Sequence, residues 1–403
     1  MNLLKINKIN KKVKGSVQIT GSKSETNRLL VLQQFYPNLL IKNVSNSDDS
    51  KLMQQALTST SNDINIGHAG TAMRFLAAYF SVKENAEIIL TGSYRMKNRP
   101  IKILVDALIT LGADIQYLEK EGFPPLKIYG KNLVNDFVEI NGNVSSQYVS
   151  ALLLIAPTLK NGLQLKFKGE VTSVPYIKMT LQLLAELGVE YLWKNNIILI
   201  QPKQKIKDKT ITVESDWSSA SYYYSLVALS PNAEIKLTSY NKNSLQGDSV
   251  LATIYKNLGV ETRFEDNTLV LKNNNTLSLK PLNINLISAP DIAQTIAVTC
   301  FGLGIECFLT GLHTLKIKET DRLVALKTEI EKLGGEVQIT SETLYLKSSN
   351  EIKENISIST YDDHRMAMAF APLATKVSIQ IEDANVVSKS YPTFWEDFKK
   401  VTS

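Results

Sequence analysis

Lysine outnumbers arginine 38 to seven in this chain of 403 residues. Against that bias, an arginine marks a position where a mobile point charge will not substitute. The usual reason is a rigid, two-pronged grip on a carboxylate or a phosphate. Arg28, Arg74, Arg95, Arg99, Arg322 and Arg365 all lie in short polar motifs, and only Arg263 lies elsewhere. The motifs are GSKSETNR (21–28), GHAGTAMR (67–74), RMKNRP (95–100), IKETDR (317–322) and YDDHR (361–365). Guanidinium groups among serines, lysines and glycines suit small anions bearing several charges. The plainer alternatives are structural salt bridges for the arginines, and helix capping for the serines and aspartates.

Three of these motifs, at 21–28, 67–74 and 361–365, occupy equivalent places in a repeat. A short alternating strand, a few small or polar residues and an apolar helix recur six times. The strands begin at Val17, Ile64, Val138, Ile211, Ile284 and Ile356, at intervals of 47, 74, 73, 73 and 72 residues. Helices ending in Leu-Gly close at Gly112, Gly188, Gly259 and Gly334, where glycine accepts the left-handed conformation past the last turn. A period near 73, with a complete strand–helix–strand–helix unit in each repeat, implies duplication and two domains of three units. The first interval is about 26 residues short. The second helix of that unit is present (45–57), so the hairpin after it is read as trimmed. Every strand-to-helix junction carries the distinctive polar residues, as in Gly21–Ser24, Gly67–Thr71, Asn143–Gln147, Asp216–Ser219, Ala289–Asp291 and Tyr361–Arg365. Unpaired N–H groups and the positive dipole end make each helix start a place for an anion.

The five blocks, with VSSQY (144–148) and SKSYP (388–392), resemble those of the 5-enolpyruvylshikimate-3-phosphate synthase family, in the family's order and over nearly the whole chain. The resemblance implies an α/β (α+β) fold, a two-domain inside-out α/β barrel with three βαβαββ repeats per domain, closing on substrates between the domains. It puts the crossovers near Gly21 and Ser215. Residues 1–20 and 216–403 would then form one domain and residues 21–215 the other, with a shortened first repeat. The implied reaction joins phosphoenolpyruvate to the 5-hydroxyl of shikimate 3-phosphate and releases phosphate, without metal or organic cofactor. Carried over by motif, Lys23, Gly70, Arg95, Gln147, Arg322, Arg365 and Lys389 surround phosphoenolpyruvate. Lys23, Ser24, Arg28, Ser145, Ser146, Gln147, Ser173, Tyr176, Asp291, Thr314 and Lys318 hold shikimate 3-phosphate. Asp291 is the base on the 5-hydroxyl, and Glu319 exchanges the proton at the methylene carbon with help from Lys23. Without the resemblance, Glu319 reads as a helix-start carboxylate beside Asp321. Three residues depart from the family pattern: His68 for asparagine, Phe75 for proline, and Thr314 for an asparagine on the substrate phosphate. Gly70 keeps the family's glycine, which implies that glyphosate is admitted.

Composition bounds the alternatives. An apolar share of 44%, charged residues at 21% and a net charge of +6 describe a globular protein and exclude disorder. The apolar stretch from Ile296 to Leu312 is broken by Thr299, Gly302, Gly304 and Glu306, so a membrane span is not expected. The first residues, MNLLKINKINKKVKGS, show no signal peptide, which makes a cytoplasmic enzyme the expectation. Cys300 and Cys307 supply neither a disulfide framework nor a zinc site and read as core residues, as do Tyr222–Tyr224. Asp362, Asp363 and His364 are consecutive and cannot all face one metal. A nucleic-acid-binding repeat protein would gather its lysines into a stripe, whereas here they are dispersed. The nearer rival is the enolpyruvyl transferase acting on UDP-N-acetylglucosamine. It commonly carries a reactive loop cysteine early in the chain, and none precedes Cys300. The expected partners are the two small substrates, with no nucleic acid, no membrane and a monomeric state.

Overall fold

The computed structural model describes residues 3–172, 174–276, 280–349 and 351–403. Its contacts divide the chain into two compact units, Met1–Thr20 with Glu214–Ser403, and Gly21–Val213.

In the Gly21–Val213 unit one plan appears twice. Strand Asp63–Asn65 runs parallel to Glu87–Thr91, which pairs antiparallel with Leu126–Tyr129, itself antiparallel to Asp114–Tyr117. Strands Phe137–Asn141, Leu163–Lys168, Ile197–Ile200 and Tyr191–Lys194 repeat that order. Helices Gly70–Val82 and Ser146–Ile155 make the parallel crossovers, and Lys102–Leu111 and Val174–Glu186 precede the hairpins. Among the described residues the third sheet has two strands, Leu39–Lys42 parallel to Lys209–Thr212. From helix Asp48–Thr58 the chain passes directly to Asp63–Asn65, so the hairpin is missing where the short interval predicts.

The discontinuous unit follows the same plan. Strands Leu282–Asn285, Cys307–Thr310, Leu344–Leu346 and Val337–Ile339 form one sheet in that order. Lys14–Val17, Glu234–Thr238, Thr268–Asn273 and Val260–Glu265 form a second. In the third, Ile356–Ile358 lies parallel to Ile379–Glu382, and the N-terminal strand Leu3–Ile6 takes the antiparallel place.

At the two crossings a strand and the helix that follows it lie in different units. Lys14–Val17 leads along the chain into helix Lys23–Phe35 of the other unit, yet it pairs with Glu234–Thr238 of its own. Lys209–Thr212 leads into helix Trp217–Leu229 and pairs with Leu39–Lys42. The strand also ends at Val17 instead of beginning there. Residues 18–20 keep the alternating pattern because Ile19 is buried as well, with its carbonyl accepting from Ser215 Oγ at 2.5 Å.

Helices line the inside of each unit. All of Trp217–Leu229 and His364–Phe370 is buried, and so is all of Ala293–Leu303 except Leu303. In the other unit Gly70–Val82 and Ser146–Ile155 are nearly as enclosed. A helix apolar all round belongs inside, which places the sheets outermost. Gly112, Gly188, Gly259 and Gly334 all have φ between 77° and 106°. Tyr222, Tyr223, Tyr224, Cys300 and Cys307 are buried in the core. Among the described residues no helix is long and apolar enough to cross a membrane.

Candidate active site

In the discontinuous unit, the starts of three helices bring charged residues together. Asp291 sits in the short turn Pro290–Ile292 that opens Ala293–Leu303. Arg322 is the first residue of Arg322–Lys332, whose cap Asp321 accepts from the N–H groups of Leu323 and Val324. Arg365 follows the cap Asp363, which accepts its backbone N–H at 2.9 Å.

Arg322 is the hub of this set. Its Nε donates to Asp363 Oδ2 at 2.6 Å, Nη1 to Asp291 Oδ1 at 2.9 Å, and Nη2 to Glu319 Oε2 at 2.7 Å. Asp291 also faces Lys318 Nζ and Arg365 Nη2, each at 3.3 Å. Glu319 meets Lys389 Nζ at 2.8 Å. Glu319 therefore pairs with cations and does not cap the helix, a place Asp321 fills. Burial would raise the Asp291 carboxyl, but Lys318, Arg365 and Arg322 outweigh it and hold the group well below its ordinary range. Arg322 and Arg365 lie well above theirs. In each, the surrounding carboxylates overcome the burial penalty.

The Gly21–Val213 unit carries a second set. Lys23 opens helix Lys23–Phe35 and pairs with the buried Asp49 at 3.3 Å. One turn on, Arg28 is buried. Its Nε donates to Thr180 Oγ1 at 2.7 Å, Nη1 to the Ser24 carbonyl at 2.7 Å, and Nη2 to Ser150 Oγ at 2.9 Å and the Tyr176 carbonyl at 3.4 Å. Burial lowers both Arg28 and the neighbouring buried Arg74 to about 10. Ser145 caps helix Ser146–Ile155 by accepting from Gln147 N, and Gln147 Nε2 donates to Thr71 Oγ1 at 3.2 Å. Gly70 opens helix Gly70–Val82, and a Cβ there would lie 2.6 Å from Arg99 Nη1, so only glycine leaves that guanidinium its place. Arg95 is exposed on the short helix Tyr94–Lys97, and Ser146 is half-buried. Ser173 lies outside the described residues.

The three departures have distinct surroundings. Phe75 is buried, and Arg28 Cζ stands 5.4 Å from its ring centroid, so this aromatic supports the arginine. His68 is exposed. Thr314 lies in the turn His313–Ile317, and among the described residues its buried hydroxyl oxygen has no hydrogen-bond partner.

The family model described as EPSP synthase (3-phosphoshikimate 1-carboxyvinyltransferase) matches residues 50–398. The 3-phosphoshikimate 1-carboxyvinyltransferase of Bacteroides fragilis strain YCH46 is 45% identical over 392 residues, covering 96% of this chain and 95% of that protein. The chain belongs to the EPSP synthase family. A second family relative of the same name, from Histophilus somni strain 2336, is 34% identical over 424 residues and covers 97% of both chains. The fold of EPSP synthase from Acinetobacter baumannii superposes with a TM-score of 0.80 at 20% identity, covering 99% of this chain and 98% of that one. The enolpyruvyl transferase NikO from Streptomyces tendae superposes at 0.76 with 13% identity, covering 99% and 97%.

Sequence reasoning missed the acidic partners. Asp363 was weighed as a metal ligand and, with the other junction aspartates, as a cap, but not as the partner of Arg322. Asp49, which pairs with Lys23, and Asp248, which lies against Ser218, sit in ordinary polar stretches (SNSDDS and LQGDS) that do not point to those partners.

Proposed function

We propose that this chain is a 3-phosphoshikimate 1-carboxyvinyltransferase, transferring the enolpyruvyl group of phosphoenolpyruvate to the 5-hydroxyl of shikimate 3-phosphate. The observation that carries the reading is the fork of Arg322. One buried guanidinium binds Asp291, Glu319 and Asp363, and Lys318, Arg365 and Lys389 close around the first two. Two carboxylates held a few ångströms apart by one rigid cation suit a reaction that takes a proton from oxygen and gives one to carbon.

In this reading phosphoenolpyruvate takes its carboxylate and phosphate contacts from Arg322, Arg365 and Lys389 in one unit, and from Lys23, Gly70, Arg95 and Gln147 in the other. Shikimate 3-phosphate takes Ser24, Arg28, Ser145, Ser146, Gln147, Ser173 and Tyr176, with Asp291, Thr314 and Lys318. With no ligand bound, Asp291 is too acidic to accept a proton readily. Substrate anions that draw Arg365 and Lys318 towards themselves raise it into a useful range. Asp291 then removes the hydroxyl proton as oxygen attacks C2 of phosphoenolpyruvate, and Glu319, with Lys23, delivers a proton to C3. The tetrahedral intermediate loses phosphate from C2 and the C3 proton returns, restoring the double bond. The cations stabilise the charge that develops on the departing phosphate. The same reading carries a monomeric, cytoplasmic enzyme that binds no nucleic acid. Sedimentation checks the first of these.

The test is phosphate release from phosphoenolpyruvate that depends on shikimate 3-phosphate, with Asp291→Ala and Glu319→Gln each abolishing turnover in folded protein. Release supported by UDP-N-acetylglucosamine in place of shikimate 3-phosphate would overturn the assignment.

A further inference from the structure

Behind the cation cluster lies a carboxyl that the reaction does not use. Asp248, in the turn Gly247–Val250, is buried. Its Oδ2 is hydrogen-bonded to Ser218 Oγ, which also accepts from Arg365 Nη2 at 3.3 Å. That same Nη2 reaches Asp291 Oδ2 at 3.3 Å. A relay therefore runs from Asp248 through Ser218 and Arg365 to Asp291. Among the described residues, Asp248 Oδ1 has no hydrogen-bond partner and neither does Arg365 Nε. A buried oxygen left half-satisfied is costly as an anion and much less so as an acid.

The charge balance points the same way. The charged groups facing Asp248 are Asp216 from the start of helix Trp217–Leu229, Asp291 from its turn, and Arg365 from helix His364–Phe370. Asp216, Asp291, Glu319 and Asp363 match Lys318, Arg322, Arg365 and Lys389 one for one, so an ionised Asp248 is one negative charge in excess. We propose that Asp248 is a positioning residue whose carboxyl takes up a proton when phosphoenolpyruvate binds, so that Arg365, held through Ser218, is released from a buried anion to grip an incoming one. This rests on the functional reading above. Burial first, and then Asp291, raise the Asp248 carboxyl to about 7 against the opposing pull of Arg365 and Ser218, which puts the exchange in the neutral range.

The linkage has a definite sign. A bound anion raises Asp248 further, so phosphoenolpyruvate binds more tightly below neutral pH and more weakly above it. A rise of about one pKa unit on binding makes KM grow about sixfold between pH 6.5 and 8.5. Asp248→Asn, which is neutral at every pH, removes that dependence. The wild-type to variant ratio of KM for phosphoenolpyruvate, in which titration of the substrate cancels, climbs about sixfold over the range, and the effect falls on KM rather than on kcat. Ser218→Ala keeps the carboxyl but removes its hydrogen bond, moving the wild-type limb to higher pH. Calorimetry of phosphoenolpyruvate binding at pH 7.5, in two buffers of different ionisation enthalpy, reads proton uptake by the wild type and its loss in Asp248→Asn. Equal pH profiles for wild type and Asp248→Asn, or no proton uptake by the wild type, overturns the proposal. Should Asp248→Asn not fold, the wild-type uptake and the Ser218→Ala limb decide alone. Should the wild type release no phosphate, the functional reading fails, and the same buffer comparison with inorganic phosphate as the probe still tests the proton.

Discussion

Replacing Arg322 by lysine keeps the charge and removes the geometry. The guanidinium reaches three carboxylates in three directions, at 2.6, 2.9 and 2.7 Å. An ammonium on a flexible stem holds one of them well. Asp363 is the strongest claimant, because its side chain is fully buried and its remaining partner is the Arg365 N–H. If lysine keeps Asp363, the tethers to Asp291 and Glu319 are lost, at roughly 1.5–3 kcal/mol for each charged hydrogen bond. If it does not, a buried carboxylate is left uncompensated at roughly 3–5 kcal/mol. Either route costs about 4 kcal/mol, since Asp291 retains Lys318 and Arg365, and Glu319 retains Lys389. For a unit of roughly 200 residues that lowers Tm by about 10 °C. Unpinning both reacting carboxylates by about an ångström also lowers kcat/KM by about 100-fold. Scanning calorimetry and the phosphate-release assay read the two effects. A variant melting within about 2 °C of wild type, with kcat/KM reduced less than about threefold, would refute the hub role of Arg322.

Phe75→Leu removes the ring under Arg28, worth about 0.5–2 kcal/mol, and raises KM for shikimate 3-phosphate several-fold while leaving KM for phosphoenolpyruvate near wild type. Steady-state kinetics with each substrate varied in turn checks it. Tyr361→Phe deletes the hydroxyl that donates to Glu329 Oε1 at 2.5 Å. That bond steadies two consecutive left-handed residues, Tyr361 at φ 54° and Asp362 at φ 55°, just before Asp363 and Arg365. The variant loses about 2 kcal/mol in a denaturant melt and also loses kcat, because the strained bend aims both residues. The Asp291 carboxyl is depressed on folding, so it contributes stability that is present above about pH 4 and lost as pH falls further. The Tm deficit of Asp291→Asn is accordingly large at pH 7 and shrinks below pH 4.

The fold was readable because duplication leaves a spacing that any one repeat would hide. Intervals near 73 residues counted the units, and the short first interval located the sheet that ends at two strands. The strand exchange at the crossings was not readable from the spacing, and the expected crossovers near Gly21 and Ser215 came only from the family resemblance. Val17 and Ile19 alternate as a strand does, and nothing in the residues says that Lys14–Val17 turns away from the helix that follows it to pair with Glu234–Thr238. At the site, scarcity made the arginines legible, and the motifs carried Lys318, Glu319 and Lys389 with them. Their acidic partners were hidden for a physical reason. Asp49 and Asp363 meet their cations across elements distant in sequence, so only the fold discloses that they are counter-ions.

Those counter-ions change how affinity must be understood. A cleft of bare cations would bind any phosphate strongly and pay a steep folding cost in repulsion. Here each cation named above for phosphoenolpyruvate and described as paired already has a carboxylate: Arg322 with Asp363, Arg365 with Asp291, Lys389 with Glu319 and Lys23 with Asp49. Substrate binding is therefore an exchange of one anion for another, and its net free energy is a small difference between large attractions. The exchange also selects. A single phosphate frees one carboxylate to sit unpaired, whereas a substrate with two anionic groups recruits several cations at once and, in the proposed mechanism, releases Asp291 and Glu319 to carry protons. In that mechanism, the cations that hold Asp291 acidic make its activation conditional on a ligand that draws them away.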